Sequence, residues 1–183
     1  RVDVPGRWLF KGGTCLRKAF FEGYRFSEDL DFTVQGPLDV ELVTRVLERL
    51  SRLAVEIGVE MEPGGSSLRE LDDEPGRRSL EARVPYRGPL ATPNELKIQF
   101  HLSQDELVYF DPVLRPLMHP YPDSDDITAE LVCYSLEEIL TEKLRALCGQ
   151  RRYAIARDLY DAWQLLDRGV SADAVLSALP DKA

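Results

Sequence analysis

Apolar and polar positions along this chain switch repeatedly between a period of two and a period of 3.6. Trp8-Leu9-Phe10 is a short apolar run that ends at Lys11-Gly12-Gly13-Thr14. After it, Leu16, Ala19 and Phe20 fall at helical spacing, with Thr14 of the residue type that caps a helix. The two glycines allow a sharp turn and let a ligand come close to the backbone. Gly23 interrupts this helix. Leu30 to Val34 has strand character with Asp29 at its entrance. Alternation puts Asp29 and Asp31 on one face and Leu30 and Phe32 on the other. Asp39 heads a helix whose inner face carries Val43, Val46, Leu47, Leu50 and Leu53. Val55, Ile57, Val59 and Met61 then alternate, which predicts a half-buried strand.

Residues 63–78, rich in Gly, Ser and charge, read as a loop. Leu80 to Tyr86 and Leu96 to Leu102 predict an antiparallel strand pair joined through residues 87–94. Four prolines make 111–126 a loop, and Leu131 to Tyr134 a further short strand. Ser135 and Glu138 form a capping box for a helix with Leu136, Ile139, Leu140, Leu144 and Leu147 as its stripe and Gly149 near its end. A second helix runs from about Arg152 to Asp167, with Ile155, Leu159, Ala162 and Leu166 facing in and Gly169 as its stop. A short third helix follows Ser171. The pattern predicts an α/β (α+β) protein: a mixed sheet with flanking helices over residues 1–134, then a helical lobe over 135–183.

With 183 residues and 44% hydrophobic content, the chain can bury a real core. No apolar run approaches the ~20 residues of a membrane span, so no membrane partner is expected. Cys15, Cys133 and Cys148 have no Cys-x-x-Cys spacing, which suits a reducing, cytoplasmic setting rather than a disulfide scaffold or a zinc site. His101 and His119 read as structural or surface residues. The net charge of −9 weighs against wholesale nucleic-acid binding. The distribution is uneven, however. Asp123 to Glu142 holds seven acids and no Lys or Arg, whereas Lys143 to Arg157 holds five bases and no acid. A local basic face and a solvated pair of mixed-charge helices are equally good readings of that contrast.

Gly-Gly before a helix is in most chains only a turn, and Asp-x-Asp is common in solvated loops. Together they are more specific: a strand end, a glycine turn with a hydroxyl, one helix and an Asp-x-Asp strand collect several requirements of phosphoryl transfer. Helix-start N–H groups suit a phosphate. Two carboxylates suit Mg²⁺, which leaves its remaining positions to water and substrate phosphates. Phe26 and Phe32, flanking the acids, argue against a merely solvated loop.

At Lys11-Gly12-Gly13-Thr14 and Arg25-Phe26-Ser27-Glu28-Asp29-Leu30-Asp31-Phe32 the sequence resembles the signature of the AbiEii/AbiGii-type nucleotidyltransferases. These are toxins of toxin–antitoxin and phage-defence systems, with the polymerase-beta-like nucleotidyltransferase fold. A second block, Glu142-Lys143-Leu144-Arg145-Ala146-Leu147 and Arg157-Asp158-Leu159-Tyr160-Asp161, resembles the family too. The resemblance implies metal-dependent transfer of NMP from an NTP to an RNA acceptor, the 3′ end of tRNA, with Mg²⁺ (or Mn²⁺) as cofactor and a cognate antitoxin as partner. It implies Asp29 and Asp31 as metal ligands and catalytic groups, and Lys143 and Asp158 as a second catalytic pair. Lys11, Gly12, Gly13, Thr14 and Ser27 are the nucleotide-binding positions. The family's third carboxylate falls near Gln99, a neutral and weaker ligand; Glu81 substitutes for it if the strand register brings it across. RNA is expected across the lobe at Arg145, Arg151, Arg152 and Arg157, near Lys143. The family has more chain at one or both ends, so N-terminal helices and part of the lobe are expected to be missing from this sequence.

Two other readings stand beside this one. The acceptor is a small molecule such as an antibiotic, or the chain is a degenerate member that binds nucleotide or antitoxin without turnover. Gln99 favours the degenerate member, whereas Asp29, Asp31, Lys143 and Asp158 favour an enzyme. An Asp-x-Asp glycosyltransferase is weaker, given the Gly-Gly-Thr helix start. A P-loop NTPase is excluded because no G-x-x-x-x-G-K-[ST] is present.

Overall fold

The computed structural model describes residues 7–61, 65–71, 78–87, 96–150 and 155–182. In chain order the elements are β1 (Arg7–Lys11), α1 (Gly12–Cys15), β2 (Asp29–Gln35), α2 (Val40–Glu56), β3 (Glu60–Met61), β4 (Ser67–Leu71), β5 (Ser79–Arg87), β6 (Leu96–Gln104), β7 (Val113–Pro116), β8 (Glu130–Cys133), α3 (Leu136–Arg145), α4 (Ala156–Asp167) and α5 (Ala172–Lys182). The chain is a mixed α/β protein with two compact units, Arg1–Phe10 with Tyr24–Glu106, and Lys11–Gly23 with Leu107–Ala183.

The first unit is a sheet in the order β3-β5-β6-β2-β1, with β4 also paired to β5. β2 and β6 run parallel, while β5 is antiparallel to β6, β4 and β3. Strand alternation gives this sheet two unlike faces. On one, Val34, Leu80, Ala82, Val84 and Leu102 are buried with Leu38, Val43 and Leu47, the last two on α2. The Asp39 side chain caps α2 by accepting from the Leu42 N–H at 2.6 Å, which orients this helix's apolar stripe. Phe32 packs at the edge of the same core, 5.1 Å from the Phe10 ring and 5.8 Å from Trp8.

The second unit contains the β7–β8 hairpin and the three C-terminal helices, with α3 packed on both α4 and α5. Ser135 caps α3 by accepting from the Glu138 N–H at 3.1 Å. Only half of the expected capping box forms, because Glu138 is used elsewhere. Its carboxylate is fully buried and accepts from the Tyr109 and Phe110 N–H groups at 3.0 and 2.9 Å. The Lys182 ammonium, also buried, pairs with it and lies 2.5 Å from Glu142.

Several sequence expectations change. The alternation from Val55 does not start a strand: α2 continues through Glu56, Val55 and Ile57 are 66% and 79% exposed, and only Glu60–Met61 pairs. Gly58, at φ 74°, ends the helix where only glycine sits without strain. Two predicted loops each contain a strand, β4 and β7, because a partner strand supplies the hydrogen bonds that local propensity does not. Phe26 is 68% exposed and supports no buried loop. The expected connection at 87–94 falls mostly outside the described residues.

The largest change is the phase of α4. Its buried positions are Asp158, Asp161, Ala162 and Leu165, while Ile155, Leu159 and Leu166 are 37%, 61% and 41% exposed. The helix is rotated so that two carboxylates, not the expected leucines, point inward. The expectation is therefore that Leu165→Ala costs roughly 2–5 kcal/mol. Leu159→Ala and Leu166→Ala should each cost less than about 1 kcal/mol. Urea unfolding of the three variants checks this; equal losses at all three positions would contradict the phase.

Candidate active site

The sheet face opposite the apolar core of the first unit carries the candidate carboxylates. The parallel register places Asp29 beside Gln99 and Asp31 beside His101. The antiparallel register continues both rows, Gln99 to Arg83 and His101 to Glu81, and then Glu81 to Arg69 on β4. One row thus crosses four strands: Asp31, His101, Glu81, Arg69. Its contacts follow the backbone register. His101 Nδ1 lies 3.6 Å from Asp31 Oδ1, and His101 Nε2 lies 3.2 Å from Glu81 Oε2. Glu81 Oε1 receives Arg69 Nε and Arg83 Nε, each at 3.2 Å.

This register answers the question of the third carboxylate. Gln99 does stand beside Asp29, but its amide turns along the sheet to Glu81 at 3.3 Å and His101 at 2.6 Å. Glu81 lies two strands away from Asp31, on the order of 10 Å between backbones at ordinary strand spacing. It is nearly fully buried and held by two arginines, so it is not a neighbour of the Asp pair. The residue between them is His101, which the sequence reading assigned to structure or surface. The available signal was its position two residues after Gln99, on the same strand face. For a metal ion, Asp29 and Asp31 offer hard oxygen donors on one face, which fits Mg²⁺ or Mn²⁺ completed by phosphate and water. Among the described residues no three His, Cys, Asp or Glu side chains form a ready-made metal cage.

In the second unit the glycine turn follows directly on β1. The helix begins three residues earlier than expected: Gly12 opens α1 at φ 79°, Lys11 is the N-cap, and Thr14 is buried inside the turn rather than capping it. A left-handed φ at the first residue needs glycine, and so the helix starts at the glycines instead of after them. Gly12 and Gly13 supply first-turn N–H groups, which have no acceptor within a helix. The turn continues as a π-helical segment, Leu16–Phe20. It is anchored by Arg115 Nε donating to the Ala19 carbonyl at 3.1 Å and the Met118 N–H donating to Lys18 O at 2.7 Å. Cys15 hydrogen-bonds Cys133 on β8 and thereby holds the Cys133 thiol below its usual pKa. The Lys11 ammonium lies 5.7 Å from the Tyr134 ring centroid. Ser27, in the first unit, is half-buried in the loop before β2.

Lys143 is not a solvated residue of a polar helix face. Its Nζ lies 2.6 Å from Asp158 and 3.2 Å from Asp161, both buried, in a triad between α3 and α4. Asp161 belongs to this group, although the sequence shows it only as the last residue of the second family-like block. Its i, i+3 spacing from Asp158 was the available signal. Of the expected basic face, Arg145 is half-buried and donates to the Lys182 carbonyl at 3.0 Å, tying α3 to α5. Arg157 is exposed, and Arg151 and Arg152 lie outside the described residues.

A strand-glycine turn and a strand bearing two carboxylates on one face, within a mixed α/β chain, are parts that nucleotidyl transfer uses. The chain belongs to the family described as nucleotidyl transferase AbiEii toxin of type IV toxin–antitoxin systems, whose model matches residues 1–182. No curated protein and no solved structure matches the chain. Among the described residues no helix is long and apolar enough to cross a membrane.

The triad generates a stability prediction. Lys143→Met leaves two buried carboxylates without their cation and should cost roughly 3–5 kcal/mol. Chemical denaturation measures it; a loss below about 1 kcal/mol would mean that the pair is carried by groups other than Lys143.

Proposed function

We propose that this toxin-family nucleotidyltransferase moves NMP from an NTP to an RNA acceptor, the 3′ end of tRNA, and releases pyrophosphate. What carries the reading is family membership over residues 1–182 together with Asp29 and Asp31 on one face of β2. A hydroxyl oxygen of the acceptor attacks the α-phosphorus. The bond to the bridging oxygen of the β-phosphate breaks, and the hydroxyl proton leaves to a carboxylate or water. Asp29 and Asp31 hold the divalent ion, Mg²⁺ or Mn²⁺, which when bound neutralises phosphate charge and activates the acceptor oxygen. Gly12, Gly13 and Thr14 present backbone N–H groups to the β- and γ-phosphates, with Lys11 adding positive charge and Ser27 a hydroxyl.

Lys143 and Asp158 take a different emphasis from the one their motif alone suggests. One ammonium between two carboxylates leaves the triad with no positive charge to offer a phosphate. We read Lys143 as the group that fixes Asp158, which in turn orients the nucleotide. The acceptor is drawn to Arg157 with Arg151 and Arg152. The cognate partner is an antitoxin, and the setting is the cytoplasm, where the three free thiols stay reduced. Gln99 supports a second reading, a member that binds nucleotide without turnover, since its neutral amide replaces an acid beside Asp29.

Asp29→Asn and Asp31→Asn keep shape and lose charge, so each should abolish labelling of total tRNA by NTP while circular dichroism stays unchanged. Near-normal labelling by either variant at saturating Mg²⁺ would refute the site. If wild-type protein binds the four NTPs yet labels neither RNA nor a small-molecule acceptor and releases no pyrophosphate, the second reading holds.

Charge reversal at Arg151 and Arg152 should weaken tRNA labelling, most at low salt because fewer counterions are released, and spare NTP affinity. Labelling equal to wild type across a salt series would remove Arg151 and Arg152 from RNA binding.

A further inference from the structure

Lys11 stands directly before the glycine turn, and its flexible four-carbon stem offers the ammonium many positions. Ordering such a side chain only when a ligand arrives weakens binding by roughly two- to tenfold. Here the ammonium already has a place. Its Nζ lies over the Tyr134 ring, 5.7 Å from the centroid. Tyr134 is fully buried, between the last residue of β8 and the Ser135 cap of α3, so the ring has no room to swing aside. A second ammonium, Lys182 Nζ, lies over the same ring at 5.9 Å. The two lysines meet different chemistry. Lys182 is buried, pairs with Glu138 and lies 2.5 Å from Glu142, and these carboxylates cancel its charge. An aromatic face attracts a cation through its quadrupole and carries no net charge, so the ring orients Lys11 without neutralising it. Nor does contact with the ring occupy all three N–H donors of the ammonium.

We propose that Tyr134 is a positioning residue for nucleotide binding: its ring holds the Lys11 ammonium beside the glycine turn, where it meets the β- and γ-phosphates of an NTP. The proposal rests on the reading of Lys11 as a phosphate contact and goes beyond it by assigning Tyr134. It also carries a specificity. A cation held for the β- and γ-phosphates favours a triphosphate and gives an NMP nothing.

The test is calorimetry of the full chain with an NTP and with the matching NMP. Tyr134→Phe keeps the ring and should bind NTP within about twofold of wild type. Mono-, di- and trifluorinated phenylalanine at position 134 draws electron density from the ring face at nearly constant shape. NTP affinity should fall at each step, by about fivefold in total, while NMP affinity stays within about twofold. Lys11→Met should lower NTP affinity by about tenfold or more, and in that background fluorination should change nothing. A fluorination series without slope, while Lys11→Met still loses NTP affinity, would overturn the role of Tyr134 and leave Lys11 at the phosphates. Unchanged NTP affinity in Lys11→Met would overturn both. Because Tyr134 is buried, the wild type supplies a check that no misfolded variant can spoil. The ring current should move the ε-methylene proton resonances of Lys11 upfield of those of the exposed Lys97. Coincident resonances would overturn the contact.

Discussion

The pleat of three registered strands is the constraint on which the rest of the first unit depends. Side chains alternate with a period of two, so β2, β6 and β5 in register must present whole rows of like character. Leu30, Phe100 and Ala82 form one row, Phe32, Leu102 and Leu80 the next, and α2 covers that face. The rows between them can only emerge on the opposite face, and these are Asp29–Gln99–Arg83 and Asp31–His101–Glu81. A shift of one residue in β2 would bury both aspartates against α2 and expose Phe32. The apolar core is thus what holds the carboxylates in place.

The second unit follows a different rule, with charge rather than apolar area setting the orientation of its helices. Lys143 draws Asp158 and Asp161 inward and so rotates α4, leaving Leu159 and Leu166 in solvent. Glu138 joins the 109–110 backbone to α3, and Lys182 joins α5 to the same carboxylate. Such buried ions contribute little net stability when intact but cost several kcal/mol when one partner is removed. They specify one packing of the helices because any other leaves a charge unpaired.

Legibility in the sequence followed this division. Where apolar periodicity decides the structure, as in β2, α2, β5 and β6, the elements and their inner faces were readable from the residues; in α3 only Ile139 and Leu140 of the expected stripe are fully buried, beside Glu138 and Thr141. The Asp39 and Ser135 caps were readable for the same reason, being local. What could not be read depends on partners distant in the chain. β4 and β7 exist because β5 and β8 pair with them. The inner face of α4 is charged, which a hydrophobic pattern cannot report. Thr14 looked like a cap because its residue type suits one, but the left-handed φ available to Gly12 starts the helix earlier. At the site, Asp29 and Asp31 were visible as a motif, whereas His101 becomes significant only once register puts it between two acids.

The account turns on which phosphorus atom is attacked. The direct measurement follows α-labelled and γ-labelled NTP in parallel reactions with total tRNA and a divalent ion. The account predicts α-label in the RNA and γ-label in pyrophosphate, in equal amounts. Transfer of γ-label to the RNA, or pyrophosphate release with no label in any acceptor, would contradict it.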